Sequence, residues 1–225
     1  MNEHNPSPPQ NVQNTHSAQN TGSGSSKPLS DQKKELRSYT RLSLAAFKES
    51  PQYEQYSLDA MNHFLESPLY RYAPLILTFV SAGTEINTHP LLIKMLEDKK
   101  RVAIPETTEN SMTFRMLSPD IPLSKQMRRG NFDIEEPVKS LEPVKPETLP
   151  AGTVILVPGL AFSEDGARLG KGKGYYDRYI EQVPVETVLV GYAFQLQIAE
   201  TVPCEDHDKK VDYLVTEEKM IICGM

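Results

Sequence analysis

Twelve residues between Arg168 and Tyr179, RLGKGKGYYDRY, have the types and spacing that most strongly suggest chemistry. Three glycines alternate with two lysines at positions 170 to 174, so a backbone that can approach a ligand lies beside positive charge. Such a loop favours a phosphate chain, and the helix predicted to begin near Gly174 adds its positive end. The two tyrosines that follow suit a flat ring system, and Asp177 suits Mg²⁺ beside phosphates. A flexible, charged surface loop is the competing interpretation.

The Gly–Lys loop, defined here as residues 168–174, matches neither of two common phosphate-binding motifs. Gly174 stands where the Walker motif requires Ser or Thr after Gly-Lys. The dinucleotide fingerprint requires a third glycine at the position of Tyr175. The loop therefore predicts a phosphate site of another kind.

Composition and charge narrow the class of protein. The 225 residues carry a formal net charge of −6, which argues against a nucleic-acid partner. Residues 1–28 contain few aliphatic side chains and lack signal-peptide and transit-peptide features, so they predict a disordered tail. No apolar run is long enough to span a membrane, and Cys204 and Cys223 have no metal-ligand spacing. We expect a cytoplasmic monomer with no membrane partner.

The first predicted helix begins at Asp31 after a Ser30 cap. Its apolar side chains recur at spacings of three and four residues, so this face is expected to pack against the core. The apolar set is Leu36, Tyr39, Leu42 and Ala46. The opposite face carries Lys33, Lys34, Arg37 and Arg41.

The remaining elements predict one α/β domain at residues 29–225. Helices are expected at about Tyr53–Glu66 and after a Thr88 cap, and buried strands at 73–80, 153–158 and 186–192. Further strands are expected at 101–105, 112–117, 211–216 and 220–223, with an irregular excursion at 118–150. Alternating strands and helices favour a three-layer α/β/α sandwich with a mostly parallel sheet.

Two loops are expected to meet in this fold. Ligands of such sheets bind beyond the carboxyl ends of the strands. The segment SAGTEIN follows the predicted strand at 73–80, and the Gly–Lys loop follows the predicted strand at 153–158. Both loops should therefore line the same crevice.

The segment that contains the Gly–Lys loop resembles the signature of a known family. VPGLAF followed by GARLGKGKGYYDRY resembles the signature of the 5-formyltetrahydrofolate cyclo-ligase family, also called methenyltetrahydrofolate synthetase. KKELR (33–37), TEINTHPLL (84–92), NFDIEEP (131–137) and KKVDYLVT (209–216) resemble further family segments in the same order. The resemblance therefore extends over nearly the whole predicted domain.

The resemblance implies an enzyme that uses ATP and Mg²⁺ to cyclise 5-formyltetrahydrofolate to 5,10-methenyltetrahydrofolate, with release of ADP and phosphate. The implied ATP-binding residues are Lys33, Arg37, Arg168, Leu169, Gly170, Lys171, Gly172, Lys173, Gly174, Tyr175 and Tyr176. The implied folate-binding residues are Val80, Glu85, Lys171, Gly172, Lys173, Gly174 and Tyr175. Catalysis is expected from Lys171, Lys173 and Tyr175. The implied magnesium ligands are Asp177 and Asp212, the latter preferred over Asp206 and Asp208 because it directly enters a strand.

The sequence departs from the family at three positions. Thr84 replaces the usual Asp, Glu106 stands where a basic residue is common, and Lys171 stands where many members have Arg. Lysine keeps the charge but loses the planar, bidentate geometry of arginine. The departures bear on substrate affinity more than on the type of reaction.

Two other functions compete with the ligase. A non-catalytic folate-binding, nucleotide-binding or regulatory protein on the same fold would be expected to lose a magnesium carboxylate or a loop glycine, and this chain keeps them. A sugar-phosphate isomerase or CoA-transferase would need a base or nucleophilic carboxylate at a strand end, for which Glu85 is the candidate.

Overall fold

The computed structural model describes residues 27–130, 134–205 and 208–224. Residues 1–26 of the predicted tail lie outside this range. The described helices are α1 (Leu29–Lys48), α2 (Tyr53–Glu66), α3 (Pro68–Tyr72), α4 (His89–Glu97), α5 (Leu123–Gln126) and α6 (Tyr175–Ile180). The first six strands are β1 (Ile76–Leu77), β2 (Val102–Thr107), β3 (Met112–Met116), β4 (Met127–Arg129), β5 (Glu135–Pro137) and β6 (Pro143–Val144). The others are β7 (Val154–Val157), β8 (Ala161–Phe162), β9 (Arg168–Leu169), β10 (Val188–Tyr192), β11 (Tyr213–Val215) and β12 (Met220–Ile222).

Eight of these strands form a mixed sheet in the order β12-β11-β10-β7-β1-β2-β3-β6. The five neighbouring strands from β11 to β2 are parallel. The antiparallel strands β12 and β3 flank them, and β6 pairs with β3 at the outer edge. The mostly parallel α/β sheet predicted from the sequence is confirmed.

The central strands are apolar on both sides because both faces of the sheet are covered. All four residues of β7 are buried, and their side chains alternate between two separate clusters. Leu44 of α1, Phe64 of α2 and Leu92 of α4 pack on one face. Tyr179 and Ile180 of α6 pack on the other, so helices lie on both sides of the sheet.

The buried face predicted for α1 is wrong beyond Leu36, which is partly buried against a small cluster. Tyr39 is 70% exposed and Leu42 is 74% exposed, whereas Thr40 and Leu44 are buried. The helix turns Lys33 and Arg37 inward because the fold supplies carboxylate and carbonyl partners for their charges. The start of the helix also differs, since it begins at Leu29 and no side chain caps it.

Two other regions differ from their predicted structure. The apolar run at 73–80 contributes only two residues to the sheet, and Phe79 and Val80 continue beyond β1 as buried backbone outside the strand. The expected irregular excursion contains α5, the β4–β5 hairpin and the edge strand β6. Polar residues dominate the hairpin, so its sequence lacks the apolar alternation that would predict β-strands.

Candidate active site

A cavity of about 700 Å³ lies beyond the carboxyl ends of the parallel strands. Val80 follows β1, Thr107 ends β2 and Pro158 follows β7, and all three line the cavity. This is the crevice expected for such a sheet. The loop after β1 and the Gly–Lys loop both border it, as their positions in the sequence predict.

One wall of the cavity, here called the cationic side, combines α1 with the Gly–Lys loop. Lys33 Nζ lies 2.7 Å from Asp208 Oδ2 and 2.8 Å from Glu205 Oε2. Burial alone would lower the pKa of Lys33, but the hydrogen bonds and charges of the two carboxylates outweigh burial and raise it. Arg37 Nε donates to the carbonyl oxygen of Gly170 at 3.0 Å. The first helix therefore presents fixed positive charge to the cavity and holds the loop.

Arg41 extends this wall by one further helical turn. Its Nη2 lies 3.5 Å from the carbonyl oxygen of Lys171, and its side chain lines the cavity. Lys33, Arg37 and Arg41 share one face because they are spaced four residues apart. Arg41 was not among the predicted site residues, although its spacing could have identified it.

The Gly–Lys loop reaches the cavity through backbone conformations that favour glycine. Gly172 has φ of +103° and Gly174 has φ of +65°. The Lys171 ammonium lies 2.6 Å from Glu85 Oε1, and Lys173 also lines the cavity. The helix that follows, α6, has six residues and begins directly after Gly174, as predicted. The loop therefore brings two lysines and glycine backbone to the cavity.

An ion pair between Arg168 and Asp177 joins the start of the Gly–Lys loop to α6. The Arg168 side chain is 4% exposed and pairs with the Asp177 carboxylate, and its Nη1 donates to the carbonyl oxygen of Pro158 at 3.2 Å. Leu169 is buried in a small cluster with Ala161 and Ala167. Arg168 and Leu169 thus anchor the loop, while Asp177 keeps an exposed fraction of 33% at the cavity.

The two tyrosines have different environments. The Tyr175 hydroxyl lies 2.9 Å from the carbonyl oxygen of Thr108 and 3.1 Å from that of Glu109, so it is engaged with the β2–β3 turn. Tyr176 packs its ring near Phe114, and its buried hydroxyl has no hydrogen-bond partner among the described residues. Burial raises the pKa of Tyr176, so this side chain stays neutral.

The cavity is also lined by apolar residues, here called its apolar side, and Glu85 lies in the loop that follows Val80 of this set. This apolar side consists of Phe79, Val80, Pro105, Met112, Ile134 and Tyr176. Glu85 Oε2 accepts a hydrogen bond from the Ala82 N–H at 2.9 Å. The buried Tyr53 of α2 donates its hydroxyl to the backbone carbonyl of Glu85. Sequence reasoning missed this contact, because nothing local to Tyr53 links it to a loop 32 residues away.

Ion pairs fix the β4–β5 hairpin beside the apolar side. Glu106 is paired with Arg115 Nε at 2.7 Å and with Arg128 Nη2 at 3.1 Å. Arg128 also lies 3.2 Å from Glu136, whose other oxygen accepts from the Thr107 hydroxyl at 2.9 Å. Burial tends to raise the pKa of Glu106, but the two guanidinium groups outweigh it and lower the pKa. The acidic residue at this unusual position is therefore part of a compensated network.

The two predicted magnesium ligands do not lie together. Asp212 precedes β11, and its Oδ2 accepts from the backbone N–H of Leu189, the second residue of β10, at 2.8 Å. Both residues lie at the amino ends of parallel strands. Because the cavity lies beyond the carboxyl ends, Asp212 is at the opposite end of the strands from the cavity. Asp208, the less favoured of the two candidates in the sequence, lines the cavity together with Asp177.

The carboxylates at the cavity fit Mg²⁺ only together with a ligand. Among the described residues, no group of three or more His, Cys, Asp or Glu side chains could hold a metal ion. Mg²⁺ characteristically takes one or two carboxylates plus substrate phosphates, and Asp177 and Asp208 are two oxygen donors beside the cationic side. Asp177 is paired with Arg168 and Asp208 with Lys33, so a metal that arrives with a phosphate chain would have to replace these ion pairs.

Comparison with known proteins identifies the family to which the chain belongs. The family model for the 5-formyltetrahydrofolate cyclo-ligase family matches residues 29–217. The chain belongs to this family. It is 29% identical over 204 residues to the probable 5-formyltetrahydrofolate cyclo-ligase of Caenorhabditis elegans, covering 86% of this chain and 97% of that protein. It is 31% identical over 159 residues to the 5-formyltetrahydrofolate cyclo-ligase of Mus musculus, covering 66% and 76%.

A solved structure of the family has the same fold. The NMR structure of 5,10-methenyltetrahydrofolate synthetase from Aquifex aeolicus superposes with a TM-score of 0.71 at 27% identity, covering 88% of this chain and 93% of that one. Family membership and the prediction of an enzyme are confirmed. Within the described range, no helix has the length and apolar character needed to cross a membrane.

Proposed function

We propose that the protein catalyses the ATP- and Mg²⁺-dependent cyclisation of 5-formyltetrahydrofolate to 5,10-methenyltetrahydrofolate, with release of ADP and phosphate. Family membership supports the ligase reaction. The observation that supports ATP and folate as the ligands is the composition of the cavity lining, which combines lysines and arginines with apolar residues and Glu85. A triphosphate is anionic and suits the lysines and arginines, whereas a pterin is a flat ring with N–H donors and suits the apolar residues and Glu85.

On the cationic side, the proposed ligand is the phosphate chain of ATP. Lys33 and Arg37 of α1 and the lysines of the Gly–Lys loop all line the cavity, and together they would contact the phosphates. Arg37 fixes the loop through Gly170, so these donors are positioned before the phosphates bind. Preorganised donors stabilise the charge that develops during phosphoryl transfer without reorganising at the moment of reaction.

On the apolar side, the proposed ligand is the pterin ring of the folate. The ring would pack against Val80 and Tyr176, and its N–H donors would bond to the Glu85 carboxylate. Charge-assisted hydrogen bonds to a carboxylate are short and strong, and they fix the orientation of the ring. The formyl group would then point toward the Gly–Lys loop, from which Lys171 reaches Glu85.

The chemistry proceeds in two steps that balance. The formyl oxygen attacks the terminal phosphorus of ATP, the bond from that phosphorus to the bridging oxygen breaks, and ADP leaves. The anilino nitrogen then attacks the activated formyl carbon, the carbon–oxygen bond breaks, phosphate leaves with the former formyl oxygen, and the nitrogen loses its proton. Lys171 and Lys173 would neutralise charge on the transferring group, which is positioning and electrostatic catalysis.

Asp177 and Asp208 are the residues that would hold Mg²⁺, which neutralises phosphate charge when bound. Tyr175 presents its ring to the cavity while its hydroxyl holds the β2–β3 turn, so we propose a positioning role for it. A monomeric state and a cytoplasmic location remain proposals.

The test mixes purified protein with 5-formyltetrahydrofolate, ATP and Mg²⁺ and follows the absorbance of the methenyl product. We expect absorbance that requires all three components and one ADP formed per product. A non-catalytic folate-binding or nucleotide-binding protein would bind both ligands by calorimetry and give no product. That result, with folded protein, would overturn the proposal.

A further inference from the structure

An ion pair bridges the two sides of the cavity. Lys171 Nζ, from the Gly–Lys loop, lies 2.6 Å from Glu85 Oε1 on the apolar side. Under the proposed function, each of these groups is needed by a different substrate. Lys171 is assigned to the phosphates and Glu85 to the pterin ring, yet in the structure they are bonded to each other.

We propose that this pair couples the two substrates: when the pterin ring occupies Glu85, Lys171 is released to bind the phosphates of the nucleotide. The inference rests on the proposed function and deepens it. It predicts that folate strengthens nucleotide binding and that nucleotide strengthens folate binding by the same factor, because coupling free energies are reciprocal.

Glu85 is the fixed partner and Lys171 the mobile one. The Glu85 side chain is 13% exposed, and hydrogen bonds from Ala82 and Tyr53 hold its carboxylate and its backbone. The Lys171 side chain is 52% exposed and stands on a flexible stem between two glycines. A ligand that competes for the carboxylate therefore displaces the ammonium and leaves Glu85 in place.

The exchange is favourable on both sides of the cavity. A half-exposed ion pair contributes little net stability, so little is lost when it opens. The pterin ring presents neighbouring N–H donors to a carboxylate, which one ammonium does not match in geometry. The released ammonium is a compact charge on a long stem and can bond to a phosphate oxygen. Lys171 thus becomes fully available to ATP when folate is present.

The test measures binding of a non-hydrolysable ATP analogue with Mg²⁺ by calorimetry, with and without saturating 5-formyltetrahydrofolate. In the parent protein we expect folate to tighten analogue binding about 3- to 5-fold, the range that opening a half-exposed ion pair allows. Glu85→Gln should bind the analogue more tightly than the parent without folate, by a similar factor. Lys171→Met should bind the analogue more weakly and show no folate effect.

A double-mutant cycle separates the exchange from a simple charge effect. Removing the Glu85 charge should tighten analogue binding when Lys171 is present and should do so much less in the Lys171→Met background. Lys210→Met is the matched control, because Lys210 pairs with Asp165 at 2.6 Å and has a similar exposure of 54% away from the cavity. This control should behave as the parent in every measurement.

Two results would overturn the inference. One is an equal tightening by Glu85→Gln in both backgrounds, which would mean that only the charge of Glu85 acts. The other is a folate effect that persists in Lys171→Met. Both are distinguishable from failure of the proposed function, because formation of the methenyl product by the parent protein is measured separately.

Discussion

Gly172 is the position where the structure makes the sharpest prediction about the Gly–Lys loop. Its φ of +103° lies in the region that favours glycine, and an added Cβ would meet Arg37 at 3.9 Å, an ordinary contact. Gly172→Ala therefore introduces a conformational penalty without a clash. Because the residue is exposed, we expect the loop to relax into another conformation when no ligand holds it.

The size of the expected effect on binding follows from the energetic cost of the left-handed backbone conformation. The left-handed conformation costs an ordinary residue about 1–2 kcal/mol. If the loop relaxes, nucleotide binding must restore the original conformation, so the dissociation constant for an ATP analogue should rise about 5- to 30-fold. The melting temperature should then change by about 1 °C or less, since a relaxed loop no longer carries the penalty.

Gly152→Ala is the matched control. Gly152 has φ of +79°, and an added Cβ would lie 3.8 Å from Pro74. Its backbone N–H donates to the carbonyl oxygen of Glu186 at 3.1 Å. This turn is held by the fold, so the same penalty should lower the melting temperature by about 2–8 °C and leave analogue binding unchanged.

Calorimetry and thermal unfolding of both variants decide the question. A Gly172→Ala protein with a lower melting temperature and unchanged affinity would show that the loop is rigid. Unchanged values in both measurements would refute the assigned backbone conformation. Either result would refute the expectation that the ligand-free loop of Gly172→Ala relaxes into another conformation.

Four further substitutions test other contacts. Tyr53→Phe removes the hydroxyl that holds the Glu85 backbone, so stability should fall by about 1 kcal/mol in denaturant titrations and the KM for folate should rise, with kcat little changed. Asp208→Asn should raise the Mg²⁺ concentration needed for half-maximal rate, whereas Asp212→Asn should lower stability and leave that concentration unchanged. Glu106→Gln leaves two arginines partly unpaired, so the free energy of unfolding should fall by about 3 kcal/mol at pH 7. Because the folded-state pKa of Glu106 is lowered, its contribution is present above the unfolded pKa and is lost as pH falls through the folded pKa, so parent and variant should converge in acid titrations of stability.

Much of the fold could be predicted from the sequence where local pattern and burial agree. The bounds of α2 at Tyr53–Glu66 match the prediction, and α4 follows Thr88 as expected. The buried strands β7 and β10 were recognisable because a strand covered on both faces is apolar throughout. The positions of two unusual loops directly after such strands then predicted where the cavity lies.

The errors arise where tertiary contacts override local pattern. An apolar stripe on α1 predicted the wrong buried face, because partners distant in sequence, at positions 170 and 208, accommodate Arg37 and Lys33. Asp208 and Asp212 are four residues apart, and only the direction of β11 tells which one reaches the cavity. Neither fact is encoded in a short window of residues.

The charges of the cavity suit the two anionic substrates of the proposed reaction, although the chain as a whole is acidic. Six of its 24 lysines and arginines line this one cavity, although the formal net charge is −6. Carboxylates lie beside several of them, as Asp208 does beside Lys33, Asp177 beside Arg168 and Glu85 beside Lys171. These pairs hold the cations in place while limiting the repulsion among them. Under the proposed function, substrates and metal would act by exchange, since each ligand that engages a carboxylate would make a preplaced cation available to the phosphates.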